Sequence, residues 1–372
     1  MKKFLDCISI VGATPSKFHG TKKYVSTGAV ATTEIDESEV VEVTYEDRPS
    51  RANLSAEAGD ILFAKMQGTR KTLLLDSETE ENIYSTGFYA VRANPEVITT
   101  ECLYYLIDSE LFLAQKDKNC SGATQKAITN GGMAKIEISV PALSEQGILV
   151  NKLKHLTQLI ADKKKQLNLF DEIIKSRFIE MFGDPVTNPL RWAMLPLEKC
   201  LTVLGGYAFK SEEFKTSGVP VLRIGNINTG AFTPTNMVYW SKDDCLTRYQ
   251  VLPGDLVISL TGTVGKDDYG NVCILGDAYP MYYLNQRNAK LILDDELNKH
   301  YLSELLKFSQ IKKKLTGISR GVRQANISNR DILNLVVPIP PIEIQVQFAA
   351  FVEQVDKSKY HGEFTCGMEV AA

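Results

Sequence analysis

Apolar residues along the chain follow three spacings. Short unbroken runs come after Gly-Asp pairs, as in Asp60-Ile61-Leu62-Phe63-Ala64 and Asp255-Leu256-Val257-Ile258-Ser259-Leu260. With similar runs at residues 219–224 and 272–275, they predict strands. A helical spacing governs residues 294–315, where Leu297, Tyr301, Leu302, Leu305, Leu306, Ile311 and Leu315 recur on one face. Asp294, Asp295 and Glu296 open that stretch and Lys312, Lys313 and Lys314 close it, the order a helix macrodipole favours. Residues 99–113 are its counterpart, with Thr99 or Thr100 as N-cap. The third spacing runs through residues 143–181, which Pro141 and Gly183-Asp184-Pro185 bracket and only Gly147 interrupts. There Leu149, Leu153, Leu156, Ile160, Leu167, Phe170, Ile174 and Met181 step by three, four and seven, with Lys163 breaking the series. This is the seam of a coiled-coil-like helix of ~40 residues, about 60 Å long. Pro341 opens a second helix with Phe348, Phe351, Val352 and Val355. Its pattern fades near Lys359, and residues 360–372 carry Gly362 and Gly367 and no seam. Phe348, Val352 and Val355 are expected to cover Leu149 to Ile160, leaving Leu167 to Met181 beyond the shorter helix.

The chain repeats itself. Leu103, Leu106, Gly122, Gln125, Ile128, Pro141 and Gln146 recur as Leu302, Leu305, Gly321, Gln324, Ile327, Pro340 and Gln345 at a constant offset of 199. Upstream, Gly59-Asp60-Ile61-Leu62 recurs as Gly254-Asp255-Leu256-Val257 at 195, and Gly68-Thr69 as Gly262-Thr263 at 194. Such a period is too long for a solenoid and means two copies of one domain. The expected fold is mixed α/β, with two duplicated domains joined by long coiled-coil-like helices. The boundaries are 1–140, a central helix at 141–184, 185–339, a second shortened helix at 340–359 and a tail at 360–372.

Composition narrows the chemistry. The 372 residues carry 42 Lys plus Arg against 45 Asp plus Glu, a net charge of −3, so bulk attraction to polyanions is excluded and local patches are not. Seven scattered cysteines with no Cys-x-x-Cys pair argue against a disulfide framework or a thiolate zinc site. Four separated histidines argue against a histidine metal centre. No run of eighteen apolar residues spans a membrane, and a cytoplasmic protein is expected. Thr261-Gly262-Thr263-Val264-Gly265-Lys266-Asp267 mimics a P-loop, but its glycines are too close and Asp267 follows the lysine. There is no G-x-G-x-x-G or H-E-x-x-H. Asn188-Pro189-Leu190 lacks the second proline and the aromatic of an amino-methyltransferase motif. No catalytic site of the chain's own is expected; scattered acids forming a nuclease site are the alternative.

Positive charge gathers in loops. Residues 307–323 hold Lys307, Lys312, Lys313, Lys314, Arg320 and Arg323 and no acid. A helix C-terminus accounts for the central lysines. Arg320-Gly321-Val322-Arg323-Gln324 follows that helix, and Arg and Gln pair with guanine and adenine edges. Gln125 and Lys126 take this place in the first copy. Arg70 and Lys71 follow one Gly-Thr pair; Thr261, Thr263 and Lys266 surround the other. These are the candidate DNA-contacting residues. Gln125 and Gln324, shared by the copies, could equally fix a turn through side-chain bonds to the backbone.

The order of these motifs resembles the specificity subunits of type I restriction-modification systems. The residues carrying the resemblance are Gly254-Asp255-Leu256-Val257-Ile258-Ser259, Gly262-Thr263-Val264-Gly265 and Gly321-Val322-Arg323-Gln324-Ala325-Asn326-Ile327. Residues 336–345 and the junction Met181-Phe182-Gly183-Asp184-Pro185 add to it, and the match covers about 1–359. The resemblance implies two target-recognition domains, each reading half of a bipartite double-stranded DNA site, and antiparallel helices that dock two methyltransferase subunits. Restriction/translocase subunits then join, and S-adenosylmethionine, ATP and Mg belong to the partners. The second helix departs from the family in its length. Two other readings are a stand-alone duplicated DNA-binding protein and an enzyme with an unrecognised acidic site.

Overall fold

The computed structural model describes residues 1–123, 125–317 and 324–369, without the side chains of Gln324 and 360–369. It divides into two units, Met1–Asp162 and Lys163–Ala372, each a mixed helix-and-sheet domain. The first unit has an antiparallel sheet in the order Ile8–Val11, Phe88–Ala93, Ile61–Ala64, Thr72–Leu74. The second repeats it as Leu201–Gly205, Asn288–Leu293, Leu256–Ser259, Val272–Ile274. A smaller sheet follows in both. Its order is Val41–Val43, Lys22–Val25, Ile83–Ser85, Ala52–Leu54 in one unit and Val238–Trp240, Val219–Leu222, Tyr282–Leu284, Gln250–Val251 in the other. In each, the middle two strands are parallel and the outer pairs antiparallel.

The unbroken apolar runs are strands buried on both faces. Side chains alternate across a strand, so Ile61 and Phe63 join the core beneath the helices while Leu62 and Ala64 join the core of the smaller sheet. Leu256 and Ile258 divide from Val257 in the same way. The Gly-Asp pairs set these strands. Gly59 and Gly254 both hold φ +86°, a left-handed turn open to glycine without strain. Asp60 Oδ2 accepts the Glu57 N–H at 2.9 Å and Asp255 Oδ2 the Leu252 N–H at 2.8 Å. The neighbouring strand supplies each carboxylate with a cation, Arg92 Nε at 2.7 Å from Asp60 and Lys290 Nζ at 2.6 Å from Asp255.

Each expected helix of the two copies is a pair of shorter helices. Thr100–Ile107, capped by Thr99, is followed by Glu110–Lys118, capped by Ser109. Lys299–Lys307, capped by Asn298, is followed by Ser309–Thr316, so Asp294 to Glu296 precede the helix rather than open it. Phe308 causes the second break: its backbone is extended and its buried ring packs 5.0 Å from Phe178. The apolar positions from Leu297 to Leu315 are buried as the periodicity predicts.

His300 sits half-buried at the start of that helix. Burial, then the Lys299 charge, push its imidazole below the ordinary 6.5, outweighing Glu353 at 3.6 Å. The folded protein therefore holds His300 neutral while the unfolded chain protonates first. Stability from this residue is present above pH 6.5 and is lost as pH falls below it. We expect the denaturation midpoint of the second unit to drop between pH 7 and 5.5, and His300→Gln to flatten that slope. An unchanged slope in the variant would move the acid sensitivity to another residue.

The central helix runs unbroken over Leu143–Phe182, 40 residues. Its cover is the reverse of the expected one. Ile174, Phe178 and Phe182 are buried with Phe348, Val352 and Val355, with Phe170 and Met181 packed at the edge. Leu149, Leu156 and Ile160 are exposed; Leu153 and Leu167 are half-buried. Connectivity explains the reversal. Strand Val336–Ile339 pairs with Ala193–Pro196, just after the central helix ends, so the next helix starts beside Phe182 and runs back antiparallel. Lys359 Nζ reaches Asp171 Oδ1 at 2.8 Å in this register. The second helix also continues past Lys359, over Ile342–Glu369, 28 residues. Gly362 and Gly367 cost only about 1 kcal/mol each inside a helix, and no proline stands in 360–369 to stop it. Among the described residues, no helix is long and apolar enough to cross a membrane.

Candidate nucleic-acid interface

The repeated loop motifs come together in space, at the same register in both copies. In the second unit Thr261–Thr263 pairs antiparallel with Gln324–Asn326, matching Thr261 with Asn326 and Thr263 with Gln324. In the first, Met66 bridges Ala127, the positions 195 and 199 residues earlier. The backbone bonds repeat too: Ile128 N–H donates to Lys65 O at 2.9 Å, and Ile327 N–H to Leu260 O at 2.8 Å. Each unit thus carries a small ribbon built from two segments far apart in sequence.

A lysine from the second short helix braces each ribbon loop. Lys116, 2% exposed, donates to Met66 O at 2.7 Å and Thr69 O at 2.9 Å. Lys312, 7% exposed, pairs with Asp267 Oδ1 and donates to Asn271 Oδ1, both at 2.5 Å. Lys312 is therefore a structural cation, whereas Lys313 and Lys314 beside it are exposed.

The candidate contact residues divide. Arg70 is engaged within the fold: its guanidinium meets Asp108 through Nε at 3.1 Å and Nη2 at 2.8 Å, and Glu110 through Nη1 at 3.0 Å. Lys71 donates to Thr27 O at 2.5 Å. Thr263 is bound through its N–H and its hydroxyl to Asp268 at 2.8 and 3.0 Å, and these bonds hold the Asp268 carboxyl below the usual range. Thr261 is half-buried in the ribbon. Gln125, Lys126 and Lys266 are exposed on it. Among the described residues, Gln125 makes no side-chain bond to its turn, which Ser121 and Ala127 close through backbone bonds of 2.9 and 3.0 Å. Gly122 is needed there: a Cβ would lie 2.5 Å from Gln125 O, at a φ of +137°. Arg320 and Arg323 lie outside the described residues, as does the side chain of Gln324.

Another repeated glutamine is scaffold. Gln146, fully buried, accepts the Thr99 N–H at 2.7 Å and donates to Val97 O and Pro141 O at 3.1 and 3.0 Å. Gln345 makes the same bonds to Asn298, Glu296 and Pro340 at 2.8, 3.1 and 2.7 Å. Each fastens the start of a long helix to the loop before a short one.

One cationic site escaped sequence reasoning. A pocket of ≈ 430 Å³ in the second unit is lined by Arg223, Asn236, Asn285, Gln286 and Arg287, with Phe214 as a wall. Only the parallel pairing of Val219–Leu222 with Tyr282–Leu284 brings Arg223 and Arg287 together, so no local pattern marks them.

Two copies of one α/β unit, each bearing a braced ribbon of the same register and followed by a long helix, define a tandem recognition scaffold. The family model of the type I restriction modification DNA specificity domain matches residues 10–169 and 189–361, and the chain belongs to that family. It is 27% identical over 244 residues to the type I restriction enzyme MjaVIII specificity subunit of Methanocaldococcus jannaschii, covering 59% of this chain and 55% of that subunit. It is 26% identical over 188 residues to the EcoKI specificity subunit of Escherichia coli K12, covering 46% and 38%. The chain thus spans about half the length, or less, of these two curated relatives. The crystal structure of the S subunit of a type I restriction-modification system from M. genitalium shares the fold, at a TM-score of 0.53 and 12% identity over 98% of this chain and 91% of that one.

Proposed function

We propose that this chain reads a bipartite double-stranded DNA site, one half per unit, and directs adenine methylation or restriction by partner subunits. The observation that carries the reading is the duplicated ribbon, with exposed Gln125 and Lys126 on one copy and Lys266 on the other. Ribbons braced by buried lysines present side chains in fixed geometry, as base reading requires. Exposed lysines beside them supply phosphate contacts that set position without choosing sequence. The chain carries no motif for S-adenosylmethionine or nucleotide binding, so S-adenosylmethionine, ATP and Mg are assigned to two methyltransferase subunits and to restriction/translocase subunits, in the cytoplasm. The exposed apolar residues of the central helix, Leu149, Leu156 and Ile160, are the surface offered to those partners.

Exchanging residues 190–335 for the equivalent region of a relative should change one half of the motif methylated in the host and leave the other half intact. Methylome sequencing reads both halves at once. Joint change of the halves would refute the division of labour, and an unchanged motif would refute base reading by the second unit.

A further inference from the structure

The two parallel strand pairs hold the same backbone and different side chains. In register, Val25 faces Tyr84 in the first unit as Leu222 faces Leu284 in the second. The turn after each pair is built alike. Ser85 Oγ accepts the Gly87 N–H at 3.1 Å; Asn285 Oδ1 accepts the Arg287 N–H at 3.2 Å. Lys65 N–H donates to Gly87 O at 2.9 Å, and Leu260 N–H to Arg287 O at 2.8 Å. On this shared frame the first unit places Ser26, Thr86 and Gly87, the second Arg223, Gln286 and Arg287. The first unit leaves no room for a larger group at that turn, because a Cβ on Gly87 would meet Thr27 Cγ2 at 2.7 Å. In the second unit the same place borders the pocket.

Where a duplicated scaffold keeps its backbone and changes its side chains, the copies can differ in what they recognise. The pocket's chemistry is specific. It is lined by two arginines and several amides, and no Asp or Glu stands among its described lining residues. Arg223 Nη2 donates to Asn236 O at 2.7 Å, while its buried Nε has no hydrogen-bond partner among the described residues. Arg287 and Gln286 are exposed and line the pocket. Guanidinium donors in a fixed plane fit two adjacent acceptors, which among base edges is the O6 and N7 of guanine.

We propose that this pocket reads a guanine in the half-site of the second unit, with Arg287 and Arg223 as specificity-determining residues. The inference rests on the DNA-reading function proposed above. The test is selection of the full-length chain and two variants, Arg287→Gly (the residue of the first copy) and Arg287→Lys, on a randomised pool of duplex DNA, followed by sequencing at two salt concentrations. Arg287 is exposed, so neither variant removes core packing. Both should lose preference at a single guanine by roughly 10- to 100-fold and keep the rest of the motif. A uniform loss across sequences, with a salt slope smaller by about one, would make Arg287 a phosphate contact and overturn the pocket while leaving DNA reading intact. An unchanged motif would also overturn the pocket alone. A wild-type chain that selects no motif would overturn DNA reading and the pocket with it.

Discussion

Replacing Phe178 with alanine is expected to cost about 3–5 kcal/mol, the range for deleting a fully buried aromatic ring. Phe178 has no exposed surface and lies at the centre of a five-ring cluster: Phe182 at 4.9 Å, Phe308 at 5.0 Å, Tyr301 stacked at 5.3 Å and Phe348 at 5.5 Å. Phe178 and Phe182 come from the central helix, Tyr301 from Lys299–Lys307, Phe308 from the break after it and Phe348 from the last long helix, so one deletion loosens the packing between these helices. Denaturant titration of the full chain should show the transition of the second unit moving and that of the first staying in place. Leu156→Ala, at an exposed seam position, should shift stability by less than about 0.5 kcal/mol. Equal losses from the two variants would show that the aromatic cluster is not what joins the two long helices.

Gln345→Leu should destabilise the second unit by about 2–4 kcal/mol. The substitution nearly conserves volume but strands the Asn298 N–H and the carbonyls of Glu296 and Pro340, which each cost about 1–3 kcal/mol when buried without a partner. Gln146→Leu should do the same to the first unit through Thr99, Val97 and Pro141. Hydrogen exchange at Thr99 and Asn298 separates the two effects, because each amide should lose protection only in its own variant. Loss of protection at both sites from one substitution would contradict independent clamps.

The sequence-level reading succeeded where the signal was local or repeated. Unbroken apolar runs after Gly-Asp pairs marked strands, and near-constant offsets exposed the duplication; the ribbons that the repeated loops form had no signal of their own. It failed where three-dimensional pairing decides. Spacing alone placed Leu149 and Phe178 on one long helix without saying which half the second helix covers; that depends on strand Val336–Ile339 pairing with Ala193–Pro196. The charge of Arg70 and Lys312 was visible, but not the Asp108 and Asp267 that hold them, 38 and 45 residues away in sequence. Arg223 and Arg287 had no pattern at all, being joined across a parallel pair. Fading periodicity after Lys359 points to a helix end, but two glycines weaken a helix without terminating it.

The strands Ile61–Ala64 and Leu256–Ser259 feed two cores from alternate residues. Each is in effect a partition wall. Mutations in the smaller sheet repack against Leu62 or Val257 and are felt on that side, while Ile61, Phe63, Leu256 and Ile258 keep presenting an unchanged floor to the helices. A lineage can therefore explore new surfaces on the outer lobe without renegotiating the helical side that must fit its neighbours. Divergence should accordingly accumulate on one side of the wall, and chimeras cut along it should fold more readily than chimeras cut across it.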